Sequence, residues 1–188
     1  MSLRAHARML DTAVPSRNES DCPPATQQTV VLQVGERFTT AVRSDGRRTM
    51  VSRTVSHGPV ILAASQAQAA RANGGAAARL LRVAAWQVAE RARLHLLRGV
   101  PCPVVVRDGI ARDVVMLGSA GGSRATREQV QQATDLLGMN WVERKRTGQP
   151  ADWIEPMMIG SAVLEAVLEQ LGVDEIVSEP DVRGPETD

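Results

Sequence analysis

Hydrophobic and polar positions in the first third of the chain predict a β-meander. The β-branched, apolar run at 29–34 predicts a largely buried strand, and residues 38–43 form a second run of the same kind. A hairpin signal, Ser44-Asp45-Gly46, separates the second run from a third predicted strand at 47–55, because glycine accepts the positive φ of tight turns. We therefore expect two or three adjacent strands here.

The apolar spacing then changes to a helical period. Apolar residues recur every three or four positions at 76–98, which predicts a long helix, and an alanine-rich helix is expected before it at 60–72. Thr126 and Gln129 form a capping-box pattern. The other predicted elements are strands at 104–106, 113–117 and 173–178, and helices at 126–137, 141–146 and 152–171 (the last with a capping-box-like start at Asp152 and Glu155, and ended by Gly172).

This order of elements predicts an α/β fold, with a small mixed sheet packed against helices. We expect one domain over residues 29–179, with the meander, helices and strands in 29–117 and a helical part in 124–172. Residues 1–28 have no apolar periodicity and are expected to form a disordered tail, and 180–188 an acidic tail.

Composition narrows the function classes. The chain has 188 residues, 43% hydrophobic and 23% charged, which is enough for an ordinary buried core. Aromatic residues are only 2%, which argues against a site that stacks several bases, and the net charge of +1 disfavours nucleic-acid binding by bulk charge. The two cysteines, Cys22 and Cys102, cannot form a metal cluster unaided. No apolar run is long enough to span a membrane, so we expect a cytoplasmic protein without a membrane partner.

Two glycine-containing segments are candidates for phosphate contact. The stretch 118–123 follows a predicted strand and precedes a helix, a layout that can present backbone N–H groups to phosphate. Its candidate residues are Gly121, Gly122, Ser123 and Arg124. It lacks the spacing and the lysine of a P-loop, and a plain linker explains it too. Gly35 lies in the second candidate, the turn Gly35-Glu36-Arg37, which a hairpin bend explains equally well.

Titratable residues give only weak catalytic candidates. Glu36, Asp108 and Asp113 lie near predicted strand ends, where ligand sites of α/β folds occur, although acids at turns are also ordinary surface residues. The histidines have no metal-ligand spacing, so we expect structural roles for His57 and His95 and no metal site. Structural packing is also expected for Trp86, Trp141 and Trp153. The short basic run Arg144-Lys145-Arg146 is expected to lie on a solvated surface.

The last third of the chain carries an ordered set of motifs. Thr126-Arg127-Glu128-Gln129-Val130 is followed by Glu143-Arg144-Lys145-Arg146, then Ala151-Asp152-Trp153-Ile154, then Leu171-Gly172-Val173-Asp174-Glu175-Ile176-Val177. Over residues 124–184 this resembles the exopolyphosphatase / guanosine pentaphosphate phosphohydrolase family, which has "TREDV", "ERR", "RADVI" and "LGVDEIVVSD" in the same order. The resemblance implies an actin-like (ribonuclease H-like) architecture in reduced form.

Departures from the family pattern bear on activity. The family's metal-binding acid on the first strand would fall at Gln33, and a neutral amide cannot replace that carboxylate. The segment with the catalytic glutamate and the "DIGGGS" phosphate loop has no clear counterpart. At 188 residues the chain is also too short for the family's two complete domains. The resemblance therefore implies a degenerate relative of these phosphohydrolases.

Three functional hypotheses follow. The first is a non-catalytic binding or regulatory protein with a homodimer mate, a protein partner or a phosphorylated ligand, and with no required cofactor. The second is an active phosphohydrolase on polyphosphate or guanosine pentaphosphate, which would need Mg²⁺. The third, disfavoured by the charge balance, is a nucleic-acid binder that uses a set of arginines: Arg79, Arg82, Arg91, Arg93 and Arg98.

Overall fold

The computed structural model of the chain describes residues 28–45, 47–98, 103–150 and 152–179, apart from the side chain of Asp108. Its strands are β1 (Thr29–Val34), β2 (Phe38–Ser44), β3 (Thr49–Ser56), β4 (Val104–Gly109), β5 (Arg124–Thr126) and β6 (Glu175–Ser178). Its helices are α1 (Gly58–Ala69), α2 (Gly74–Arg91), α3 (Ile110–Gly118), α4 (Arg127–Thr147) and α5 (Ile154–Leu171), with a 3₁₀ helix at Leu94–Leu97.

The six strands form one mixed sheet in the order β3-β2-β1-β4-β6-β5. Strands β1, β2 and β3 pair antiparallel, which confirms the predicted meander. Strands β1, β4 and β6 run parallel, and β5 pairs antiparallel with β6 at the far edge. The predicted fold class, a small mixed α/β sheet packed with helices, is confirmed.

The two faces of the sheet differ in burial. Leu32 on β1 and its neighbours across the sheet, Ala41 and Val106, are fully buried. Successive side chains of a strand point to opposite faces. The residues next to Leu32 therefore lie on the other face, where Val31 is half-buried and Gln33 is exposed. The core thus lies between one face of the sheet and the helices.

Close contacts between helices depend on small residues. Gly74 of α2 lies so near α4 that a Cβ there would be 2.6 Å from the Met139 Cα atom. At Gly160 of α5, a Cβ would be 2.4 Å from Ile110 Cγ2 and 3.2 Å from Val34 Cγ1. Helix α5 is buried around most of its circumference, as its apolar pattern predicts. None of the helices within the described ranges is long and apolar enough to cross a membrane.

Helix ends agree only in part with the sequence. The Thr126–Gln129 capping box is formed, and Gly172 ends α5 in the left-handed conformation at φ 69°. The predicted cap at Asp152 is wrong: Trp153 occupies the N-cap position of α5 and no side chain caps the helix there.

The predicted strand at 113–117 is wrong, because these residues belong to α3. Gly109 at φ 64° ends β4 and turns the chain. Ala111, Val114 and Val115 are then buried at helical spacing, while Asp113 lies exposed in the first helical turn. A short run of β-branched residues is ambiguous between strand and helix, and here the packing decides.

Two other boundaries also differ from the prediction. The helix expected at 76–98 ends at Arg91, because Arg93 takes a left-handed φ of 54° before the 3₁₀ helix begins. The two helices expected at 126–137 and 141–146 form the single helix α4. The short strand β5 was not predicted.

The predicted tails, 1–28 and 180–188, lie outside the described residues except for Gln28, and so do Cys22 and Cys102.

Candidate functional site

The predicted site residues lie along one edge of the sheet. Because β1, β4 and β6 are parallel, their carboxyl ends meet at the same edge, and β5 begins there because it runs antiparallel to β6. We call this the carboxyl edge. Gly35 follows β1, Asp108 lies near the end of β4, and Arg124 begins β5 opposite Val177. Ligands of open α/β sheets commonly bind at such an edge.

The turn Gly35-Glu36-Arg37 connects β1 to β2 at this edge. The Gly35 N–H donates to the Phe38 carbonyl oxygen at 2.9 Å, which closes the turn. The backbone N–H of His57 donates to the Arg37 carbonyl oxygen at 2.8 Å, and His57 Nδ1 lies 3.2 Å from the Glu36 carbonyl oxygen. The turn is therefore tied to the start of α1 by His57.

His57 is itself fully buried. Its Nε2 atom lies 2.8 Å from the Thr39 hydroxyl oxygen. Since a carbonyl oxygen can only accept, we assign the ring proton to Nδ1, and Nε2 then accepts from the Thr39 hydroxyl. Burial lowers the pKa of His57, and the hydrogen bond to Glu36 opposes this shift. The neutral ring thus has both nitrogens satisfied, which agrees with the structural role expected for it.

A cleft of about 350 Å³ lies beside this turn. We call it the turn cleft, and its lining combines four charged side chains with apolar ones: Glu36, Arg37, Asp152, Glu155, Ile61, Pro156 and Ile159. Three carboxylates thus face one guanidinium. The Glu36 and Asp152 carboxylates have no hydrogen bond or ion pair with any of the described residues.

Glu155 is the one cleft carboxylate with partners in the described part of the chain. Its Oε2 atom accepts from Trp141 Nε1 at 3.1 Å and lies 3.4 Å from Lys145 Nζ. The neighbouring basic residues also have protein partners: Arg144 donates to the Pro150 carbonyl and lies over the Trp153 ring, and Arg146 pairs with Glu143. The basic run is thus used mainly within the fold.

The other predicted phosphate segment lies at the far end of the carboxyl edge. The Gly121 N–H donates to the Met116 carbonyl at 2.7 Å, and the Gly122 N–H to the Ser119 carbonyl at 3.3 Å. The Arg124 guanidinium pairs with Glu175 at 3.3 Å. Three interstrand spacings, about 14 Å, separate β5 from β1. The two segments thus share an edge but lie apart along it, and phosphate contact by them stays a prediction.

The three catalytic candidates also lie toward this edge. Glu36 lines the turn cleft, Asp113 is exposed in the first turn of α3, and Asp108 lies in β4. Among the described side chains, no group of three His, Cys, Asp or Glu residues could hold a metal ion. A Mg²⁺ site built from three such ligands is therefore not formed by the described side chains.

Other predicted residues have mixed outcomes. Trp141 is buried, whereas Trp86 and Trp153 are 40% and 56% exposed. Arg82 and Arg98, two members of the predicted nucleic-acid set, donate to groups of the protein.

Asp152 and Glu155 were missed as cleft residues, because their sequence pattern suggested a helix cap. Only the packing of α5 against the β1–β2 turn brings them together with Glu36.

Comparisons with known proteins agree with this architecture. No protein-family model and no curated protein matches the sequence. Among solved structures, the type II variant of the Aquifex aeolicus Ppx/GppA phosphatase matches with a TM-score of 0.58 at 13% identity, over 81% of this chain and 53% of that one. An exopolyphosphatase-like protein matches with a TM-score of 0.59 at 14% identity, over 82% and 55%.

This chain has the fold of the Ppx/GppA phosphatases. The predicted resemblance is thereby confirmed for the fold. The chain spans about half the length of the Ppx/GppA structures that it matches. Within this Ppx/GppA-type fold, Gln33 lies one residue before the end of β1, exposed on the face away from the helices and paired with Thr40 of β2.

Proposed function

We propose that this chain is a binding protein with a phosphatase-type fold that does not hydrolyse phosphoanhydrides. The observation that carries the proposal is the chemistry at the end of β1. A neutral amide, Gln33, stands where the resembled family has its metal-binding acid, and the described side chains form no group of three metal ligands. Hydrogen bonds of His57 hold the turn that borders the neighbouring turn cleft, which suits binding.

The charge of the turn cleft favours a particular class of ligand. Of the three carboxylates, Glu155 is already paired with Lys145. Glu36 and Asp152 are left with the single Arg37 guanidinium, and Ile61 and Ile159 supply an apolar wall. A polyanion would meet net repulsion there, whereas a basic segment of a partner protein would find both carboxylates and apolar contact. We therefore propose a protein partner with arginine or lysine next to an aliphatic residue as the ligand of the turn cleft.

Fluorescence anisotropy tests this ligand class with two labelled peptides, one alternating leucine and arginine and one alternating leucine and aspartate. We expect saturable binding of the arginine peptide only, weakened by salt, and several-fold weaker binding to the double variant Glu36→Gln/Asp152→Asn. A Glu90→Gln/Glu128→Gln variant makes the same charge change outside the cleft and controls for bulk charge. Equal binding by both double variants would refute the assignment to the cleft.

We propose a phosphorylated ligand separately for the other end of the carboxyl edge. Ser123 and Arg124 lie there, and Arg124 is one of the exposed arginines of the described chain. Titration with inorganic tripolyphosphate would support it if Arg124→Ala abolished binding and Glu36→Gln left it unchanged. Binding that survives Arg124→Ala would count against this segment.

An active phosphohydrolase is the second candidate function. Glu36 and Asp113 lie toward the same edge as Asp108, the arrangement expected if a rebuilt catalytic site used all three acids. Phosphate release that disappears in the triple variant Glu36→Gln/Asp108→Asn/Asp113→Asn would support this candidate. Release that is unchanged in the triple variant would eliminate a catalytic site built from these three acids.

A further inference from the structure

A second cavity lies between α2 and α5, away from the turn cleft. We call it the helix groove. It has a volume of about 400 Å³, and four residues of each helix line it: Arg82, Val83, Trp86 and Gln87 of α2, and Ala162, Glu165, Ala166 and Glu169 of α5. Ala162 and Ala166, one turn apart, are buried and form the floor of the groove. The volume is within the range of small-molecule sites.

The one basic residue of the helix groove is not available to an anion. Arg82 Nε donates to both carboxylate oxygens of Glu165, at 3.1 and 2.9 Å. Its Nη1 donates to Asp135 at 2.8 Å, and its Nη2 to the Gln131 carbonyl oxygen at 2.9 Å. All three guanidinium nitrogens are thus engaged, and a bound anion would have to displace a carboxylate.

The acidic side of the helix groove is only half engaged. Glu165 is paired with Arg82, but Glu169, one turn further along α5, is exposed. Its carbonyl oxygen accepts from Arg98 Nη2 at 3.1 Å, whereas its carboxylate has no hydrogen bond or ion pair with any described residue. Two carboxylates and one guanidinium give the lining a formal charge of −1. The unpaired charge is therefore negative and sits at the rim of an apolar space.

The opposite wall is an exposed aromatic ring. Trp86 is 40% exposed and its neighbour Val83 is 54% exposed, both on the side of α2 that lines the helix groove. Two large apolar side chains exposed to water beside an unpaired carboxylate are unfavourable. Such a surface is typical of binding sites. An indole ring also attracts cations through its face.

We propose that the helix groove binds an organic ammonium ion with an aliphatic body. The ammonium group would contact the Glu169 carboxylate and the Trp86 ring, and the aliphatic body would cover the exposed Val83 side chain. An apolar cavity with an anionic rim and an aromatic wall complements both parts of such a molecule. This site is separate from the turn cleft and does not depend on the function proposed for it.

The experiment uses hexylammonium as the probe and 1-hexanol as its neutral analogue. Binding is followed by the ¹H–¹⁵N signal of the Trp86 indole in the full chain, identified from the spectrum of Trp86→Phe. We expect hexylammonium to shift this signal saturably, with a Kd at least tenfold lower than that of 1-hexanol. Glu169→Gln should weaken hexylammonium binding by about five- to tenfold, roughly one charged contact, and leave 1-hexanol binding unchanged.

Matched variants make the outcome decisive. Glu128→Gln removes an exposed carboxylate of α4 outside the helix groove and should leave hexylammonium binding unchanged. Ala166→Leu should fill the groove and abolish binding, which ligand-detected saturation transfer would show; unchanged circular dichroism would establish that the variant is folded. Equal affinity for hexylammonium and 1-hexanol, or a shift of the Trp153 indole instead of the Trp86 indole, would overturn the proposal.

Discussion

Charged groups are satisfied at the junction of α2, α4 and α5 but left open at the carboxyl edge of the sheet. At the junction, Arg82 joins Asp135 and Glu165, and its side chain and that of Glu165 are only 23% and 14% exposed. At the carboxyl edge, Glu36 and Asp152 are exposed and have no partner among the described residues. Buried charges need partners for stability, whereas open charges are available to a ligand.

The largest effect is expected from Arg82→Met. This change leaves Glu165 mostly buried without its cation, and we expect a loss of about 2–3 kcal/mol of unfolding free energy at pH 7, somewhat below that of a fully buried pair. Urea unfolding measures it. Arg79→Met, an exposed arginine of the same helix, should change stability by less than about 0.5 kcal/mol.

The pH dependence of Arg82→Met sharpens this prediction. Burial raises the pKa of Glu165 in the folded chain, and the hydrogen bonds from Arg82 offset only part of the shift. A raised folded-state pKa means that stability falls as the pH rises from the unfolded value of about 4.5 through the folded one. Without Arg82 this fall in stability should be larger. The variant should therefore lose less unfolding free energy, relative to the wild type, at pH 4 than at pH 7. An equal loss at both values would contradict the account.

Gly160→Ala tests how tightly the helices pack against the end of β1. The new methyl group would overlap Ile110 and press on Val34, so we expect a loss of about 2 kcal/mol from overpacking. Gly75→Ala is the control, because a Cβ there meets only Asn73 Oδ1 at 3.7 Å. Thermal unfolding compares the two. A Gly160→Ala variant as stable as the control would mean that this contact is loose.

His57→Gln tests the support of the carboxyl edge, because His57 joins the buried Thr39 to the β1–β2 turn. Loss of the ring should cost about 1–2 kcal/mol by leaving Thr39 and the turn poorly bonded. Burial lowers the pKa of His57, so wild-type stability should fall as the pH drops below the unfolded value of about 6.5. The variant should lack this component, whereas His95→Gln, at an exposed position, should retain it. Urea midpoints between pH 5 and 7.5 measure both.

The smallest effect is expected from Glu36→Gln and Asp152→Asn. Each carboxylate is exposed and unpaired within the described ranges, so each change should alter stability by less than about 0.5 kcal/mol. Guanidinium unfolding provides the check. A loss above about 1 kcal/mol would show that these acids stabilise the fold and would remove the contrast with Arg82.

The sequence predicts elements of this fold better than it predicts the candidate site. Strands β1 to β3, helix α5 and the caps at Thr126 and Gly172 follow from local patterns, because period, capping and left-handed glycines are properties of neighbouring residues. The helix α3 could not be separated from a strand, since Val114 and Val115 suit either. The turn cleft joins Glu36 to residues more than a hundred positions away, so no local pattern could reveal it.

Phosphate release tests the central claim most directly. The purified chain is incubated with Mg²⁺ and either polyphosphate or guanosine pentaphosphate, and released phosphate is measured against a protein-free blank. The account predicts release at the level of the blank for both substrates. Robust, saturable release that is lost in the triple variant Glu36→Gln/Asp108→Asn/Asp113→Asn would contradict it and would assign catalysis to the carboxyl edge.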